Sequence, residues 1–235
     1  MQRQSDIEAF YRILEHLEAR MGGRRRLGDC HGRMPWPERG VYFFFEPDEY
    51  RASSSTVTRV VRVGTHALKA GSRATIWNRL SQHRGTANPY GGNHRGSIFR
   101  LLVGQALMHR DPSLKSNSWG RGSTAQKEIR QGEVPLEQKV SDFLGEMTLV
   151  VLPVPDLAGP NSLRGLIERN SIALLSAYND PEDDQPREGW LGSHSGRPKV
   201  RRSGLWNNNH VDESYDPAFL SVLEALVVNS SGSGN

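Results

Sequence analysis

Two β-favouring runs joined by a polar segment constrain this chain more than any other feature. Gly40–Glu46 reads GVYFFFE, and Thr56–Gly64 carries Val57, Val60, Val61 and Val63. Aromatic and β-branched residues fit a pleated, half-buried surface, so each run is expected to be a strand. Together they predict an antiparallel hairpin with a long loop. Side chains alternate along a strand, which sends Tyr42 and Phe44 to one face and Phe43 and Phe45 to the other.

Helical patterns surround this hairpin. Ser5 and Glu8 have capping-box spacing, and Ile7, Phe10, Leu14 and Leu17 recur with helical period until Gly22 and Gly23. A basic loop with Trp36 between Pro35 and Pro37 follows. After the hairpin, Ser72 is placed to cap a helix carrying Ile76, Trp77 and Leu80 as far as about His83. Residues 84–135 are rich in Gly, Asn, Ser and Arg and read as an insertion; its apolar stretch Ile98–Leu107 fits a helix or a strand. Pro135 suits the first position of a helix bearing Leu136, Val140, Phe143 and Leu144. Met147–Val154 is a continuous apolar run of strand length, expected to be buried on both faces. Asn161 or Ser162 caps the next helix, marked by Leu163, Leu166, Ile167, Leu174 and Leu175. Residues 180–216 are polar and irregular, and a short helix with Phe219, Leu220, Val222, Leu223 and Leu226 follows Pro217. The expected class is α/β, or more strictly α+β, in one domain over 1–235. Its core covers about 38–84 and 136–178, with a C-terminal elaboration over 179–229 and a disordered tail over 230–235.

Composition removes several classes. Cys30 is the only cysteine, which excludes a disulfide framework and a cysteine-based zinc site, and fits a reducing cytoplasm. No apolar run reaches the roughly 18 residues that a membrane span needs, and the N-terminal residues lack a signal-peptide core. A soluble, cytoplasmic protein is expected. Lys and Arg exceed Asp and Glu by only 30 to 26, so charge permits a polyanionic partner without requiring one. The basic residues cluster at Arg24–Arg26, at Arg79, Arg84, Arg95 and Arg100, and at Arg197, Lys199, Arg201 and Arg202. They are solvated surface charges or, if folding gathers them, a phosphate track.

The chemistry-bearing candidates each admit two readings. Arg79 and His83 stand four apart on one helical face. That face is simply exposed, or it pairs a forked phosphate ligand with a proton relay. Glu168, beside the apolar stripe of its helix, either pairs with Arg164 or holds a divalent cation whose shell waters and phosphate complete. Tyr42 is a core aromatic with a bonded hydroxyl, or its phenol reaches a water nucleophile with a pKa lowered by nearby cations. Asn209, His210, Asp212 and Glu213 read as a solvated turn or a second metal cluster.

Gly40-Val41-Tyr42 on one strand, Arg62-Val63-Gly64 ending the next, Arg79 and His83 on the following helix and Glu168 on a later one resemble, in that order, the GIY-YIG nuclease family, in style its compact restriction-endonuclease branch. The resemblance implies a three-stranded antiparallel sheet flanked by helices and metal-dependent hydrolysis of DNA phosphodiesters with Mg2+ or Mn2+. It gives Tyr42 a part in generating the attacking hydroxide, Arg79 the phosphate, Glu168 the metal, and His83 the place of a histidine found in the restriction branch. Arg62 stands where the second motif carries a tyrosine. Asn207, in Leu205-Trp206-Asn207, takes the place of a family asparagine. Arg84, His94, Arg95, Arg100, Arg201 and Arg202 are expected to touch double-stranded DNA. Recognition is expected from the 84–135 insertion, the loop at 24–26 and the 185–215 loops, and a palindromic target would favour a homodimer. The competing expectations are a DNA-binding module that has lost catalysis, motivated by Arg62, and a hydrolase of another phosphodiester.

Overall fold

The computed structural model describes residues 2–87, 90–178 and 185–230. Chain order is α1 (Gln2–Met21), β1 (Arg25–Arg26), β2 (Gly40–Tyr50), β3 (Thr58–Gly64), α2 (Ile76–Arg84), a small ribbon of β4 (Thr86–Ala87) and β5 (Tyr90–Gly91), α3 (Ile98–Arg110), α4 (Lys127–Glu146), β6 (Thr148–Pro153), α5 (Leu163–Leu175), α6 (Pro198–Ser203) and α7 (Phe219–Asn229). The main sheet is antiparallel with order β1-β6-β2-β3. It has four strands where three were expected, because Arg25 and Arg26 pair with Leu149 and Thr148 instead of forming a loop.

The aromatic alternation in β2 divides the core into two layers. Phe43 and Phe45, with Val41, pack among α1, α5 and α7, whereas Tyr42 and Phe44 pack among α2, α3 and α4. β6 lies between β1 and β2 with both faces covered, as its unbroken apolar run requires.

Several boundaries depart from local signals. α1 begins before Ser5, which lies inside the helix, and it ends where Gly22 and Gly23 take φ of 74° and 94°. Thr75 caps α2, not Ser72: its hydroxyl accepts the Asn78 N–H at 3.2 Å and the Asn78 side chain accepts the Thr75 N–H at 2.9 Å. Ile98–Leu107 is helical. α4 starts at Lys127 and carries Pro135 in its interior, since buried Glu133 and Glu137 tie its first half to Arg95 and Arg100. The expected tail at 230–235 lies outside the described residues except for Ser230, which is buried and receives Arg20 on its carbonyl.

β3 is an edge strand, and the segment after α6 closes it. The Trp206 N–H donates to Val61 O at 2.7 Å. The Asn207 side chain takes the Val63 N–H on Oδ1 at 3.1 Å and gives Nδ2–H to Val63 O at 2.8 Å, copying the bonds of a neighbouring strand. Trp190 and Trp206 both donate their indole N–H to Glu46 Oε2 at 3.1 Å, pinning this segment to β2.

Candidate active site

The site begins at a glycine. Tyr42 faces Gly64 across the β2–β3 ladder, and its ring lies on the Gly64 backbone so closely that a Cβ there would stand 2.3 Å from the phenol oxygen. The missing side chain lets the Tyr42 hydroxyl reach the end of β3. Immediately beyond, the Thr65 N–H donates to Glu168 Oε1 at 3.1 Å, so Tyr42 from β2 and Glu168 from α5 meet the same two-residue stretch.

A bulge supplies the third group. Phe44 pairs with Arg62 but Phe45 pairs with Val60, leaving Val61 as the extra residue. Val60 and Val63 therefore face one layer, while Val61 and Arg62 both turn to the Tyr42 side. The Arg62 guanidinium lies 4.7 Å over the Phe99 ring and donates Nη1 to Trp206 O, close enough to Tyr42 for the two to interact electrostatically. Its Nε has no hydrogen-bond partner among the described residues. Burial pulls its pKa below the ordinary range, against the pull of Tyr42 and Glu168.

His83 is fully buried beneath this group. Its Nε2 is 2.9 Å from the Tyr42 hydroxyl and its Nδ1 is 2.7 Å from Ser97 Oγ. Burial, then the charges of Arg79, Arg62 and Arg100, hold it well below the usual histidine range, so it is neutral at pH 7. Burial raises the Glu168 carboxyl, opposed by Arg62, the Thr65 N–H, His210 and Arg79. Arg79 itself is half-exposed, with Nη1 on Gln82 Oε1 at 3.1 Å and Gly96 O at 3.3 Å.

The structure thus gathers Tyr42, Arg62, Arg79, His83 and Glu168 into one electrostatically coupled group. Asn207 stands beside it, with its amide engaged by Val63. Arg164 does not pair with Glu168; it is buried on Asp156 and the carbonyls of His66 and Ala67. Sequence reasoning placed Gly64 in the second motif without its steric role and missed Thr65 and Ser97. Ser97 had a signal, a hydroxyl immediately before an apolar run, and it does cap α3.

Three residues expected on a DNA-contacting surface are elsewhere. Arg100 is fully buried on Glu137, with Nε and Nη2 on its Oε2 and Nη1 on the carbonyl of His83 at 3.0 Å. Arg95 pairs twice with Glu133, and its side chain is 3% exposed. His94 donates Nδ1–H to Glu137, accepts the Gly120 N–H on Nε2 and stacks on Trp119 at 3.9 Å. Unpaired carboxylates on α4 would be costly inside the protein, so these cations are drawn inward. Arg24 is likewise committed to Glu18 and the Phe45 ring, and Arg26 to Glu146. Arg84 is half-exposed, and Arg201 and Arg202 are exposed.

A divalent cation fits Glu168 by chemistry: a half-buried hard oxygen donor with one oxygen on Thr65 N–H and, among the described residues, no further hydrogen bond, in the field of Arg62 and Arg79. Among the described residues no three or more His, Cys, Asp or Glu side chains converge as a metal cage, and the 209–213 turn forms His210–Glu213 and Lys199–Asp212 pairs instead. No helix of the described residues is long and apolar enough to cross a membrane.

A family model described as GIY-YIG domain matches residues 1–232. No curated protein and no solved structure matches the chain. The chain belongs to the GIY-YIG domain family, and its function is of the nuclease type that this domain carries, with DNA as the class of substrate.

Proposed function

We propose that the protein is a metal-dependent endonuclease that hydrolyses phosphodiester bonds of double-stranded DNA, working in restriction or phage defence with Mg2+ or Mn2+. The observation that carries this reading is the buried 2.9 Å contact of the Tyr42 hydroxyl with neutral His83, in the field of the buried Arg62 guanidinium. Tyr42 gives its proton to His83 Nε2 and becomes a phenolate that Arg62 stabilises. The phenolate takes a proton from water as the water oxygen bonds to phosphorus; the bond to the leaving oxygen breaks with its electron pair, that oxygen takes a proton from solvent, and His83 gives up its extra proton to reset the site. Arg79 exchanges its contacts with Gln82 and Gly96 for the phosphate and holds the charge that builds on it. Glu168 holds the cation. When bound, that ion supplies Lewis-acid stabilisation of the phosphate and leaving oxygens. Arg84, Arg201 and Arg202 remain at the surface for phosphate contacts.

A second reading, a DNA-binding module without catalysis, draws on Arg62 in place of a tyrosine. Plasmid incubated with purified protein and Mg2+, beside Glu168→Ala and Tyr42→Phe, separates them. The nuclease reading expects nicking by wild type and its loss in both variants. Binding without nicking of any plasmid, methylated or not, would establish the module. Faster cleavage of a dinucleotide than of duplex DNA would overturn both.

A further inference from the structure

We propose that Ser97 is a positioning residue for this reaction: its Oγ accepts the Nδ1–H of His83 and thereby leaves Nε2 unprotonated to receive the hydroxyl proton of Tyr42. The inference rests on the nuclease reading for its catalytic consequence, but the proton arrangement it asserts is independent of activity.

A neutral imidazole carries one N–H, and whichever partner holds that hydrogen decides which nitrogen is basic. The two contacts of His83 are unequal in what they offer. At 2.9 Å from Nε2 stands a phenol in the field of the buried Arg62 guanidinium, a positive charge that favours the phenol oxygen's negative end and turns its hydrogen toward Nε2. At 2.7 Å from Nδ1 stands Ser97 Oγ, which caps α3 by taking the Arg100 N–H at 3.2 Å on one lone pair and keeps its second lone pair for another N–H. Oxygen lone pairs at the start of a helix face its N–H groups. Both contacts point the chain of hydrogens in one direction, from Tyr42 through His83 to Ser97.

The same turn of α3 fixes the ring in place. Phe99 meets the imidazole edge-on with centroids 5.6 Å apart, and Arg100 Nη1 holds the His83 carbonyl at 3.0 Å. Arg100 is in turn locked by Glu137 of α4. A segment that reads in the sequence as an insertion therefore holds the back of the catalytic group. In the forward step the Tyr42 hydrogen moves to Nε2, His83 becomes an imidazolium with both nitrogens donating, and Ser97 Oγ keeps the Nδ1–H bond throughout. No hydrogen has to leave Ser97.

The test reads the imidazole directly. In 15N-labelled protein at pH 7, long-range proton–nitrogen correlation identifies which nitrogen of each histidine carries hydrogen, and His83 is assigned by the signal lost in His83→Gln. The expected wild-type spectrum shows a protonated Nδ1 and an unprotonated Nε2. Ser97→Ala is expected to move the population toward Nε2–H and to lower kcat for plasmid nicking at least about tenfold, a fraction of what general acid–base catalysis supplies, with KM for DNA unchanged. Ser97→Thr, which keeps the hydroxyl, is expected to restore both. A wild-type His83 protonated on Nε2 overturns the proposal without recourse to any variant, so the lost α3 cap in Ser97→Ala does not decide the matter. A tautomer shift with unchanged kcat, or a loss of kcat with unchanged tautomer, also overturns it. Wild-type protein that nicks no DNA refutes the nuclease reading, and the spectrum still decides the tautomer.

Discussion

Gly64→Ala tests whether the Tyr42–Gly64 contact organises the site. The glycine backbone is not in the left-handed region, so alanine meets no backbone strain there; the conflict is steric. The new Cβ would lie 2.3, 2.4 and 2.5 Å from Tyr42 Oη, Cζ and Cε2. That ring cannot swing aside cheaply, because it is 1% exposed and wedged edge-on against Phe44 and His83. Overpacking of this kind costs about 1–3 kcal/mol. Displacing the hydroxyl leaves the buried Tyr42–His83 pair unmade, which adds about 1–3 kcal/mol. Alanine's lower unfolded-state entropy returns about 0.4–1 kcal/mol. The expected net loss is about 3 kcal/mol, or about 6–12 °C in Tm for a domain of this size. Urea unfolding of wild type, Gly64→Ala, Tyr42→Ala and the double variant measures it. Most of the Gly64→Ala cost should vanish in the Tyr42→Ala background, because the clash partner is gone. Gly96→Ala, where a Cβ meets nothing within 4 Å, is the control. A Gly64→Ala loss below about 0.5 kcal/mol, within the scatter of ordinary surface substitutions, would refute the reasoning. So would an equal loss in the Tyr42→Ala background.

Other outcomes follow from the same geometry. Arg79→Ala should reduce nicking by about 10²–10³-fold, as removal of one charge-stabilising donor does; its melting temperature should barely move, because the side chain makes only peripheral contacts. Arg100→Met should cost about 3–5 kcal/mol in thermal unfolding by stranding buried Glu137. Burial pushes the Glu46 carboxyl up to about 7, against its two indole donors. The folded state then holds a proton that the unfolded state has already released, so stability falls as pH rises from about 4.5 to 7, by up to about 3 kcal/mol. Glu46→Gln keeps an acceptor for both indoles and should flatten that slope, gaining on wild type at pH 8 in parallel denaturation curves.

Much of the site was readable because it rests on local rules. Strand alternation sends Tyr42 and Phe44 to one layer and Phe43 and Phe45 to the other, as period two requires. Helical spacing puts Arg79 and His83 on one α2 surface. The limits were those of local rules as well. Ser72 and Thr75 both qualify as caps, and the reciprocal Thr75–Asn78 capping box accompanies the later start. Arg95 and Arg100 look like any basic loop residues, because nothing local reveals that Glu133 and Glu137, almost 40 positions later, face inward.

By itself the sequence determined the hairpin and most of the helices around it, which follow from short-range periodicity, while the set of candidate site residues came from their resemblance in order to the GIY-YIG family. Tertiary structure alone decided that Arg62 faces Tyr42, because a bulge between β2 and β3 changes the alternation by one residue. It alone decided that Asn207 closes the open edge of β3 and that Ser97 of the insertion stands behind His83. Those placements depend on which buried polar groups find partners, and the partners lie far apart along the chain.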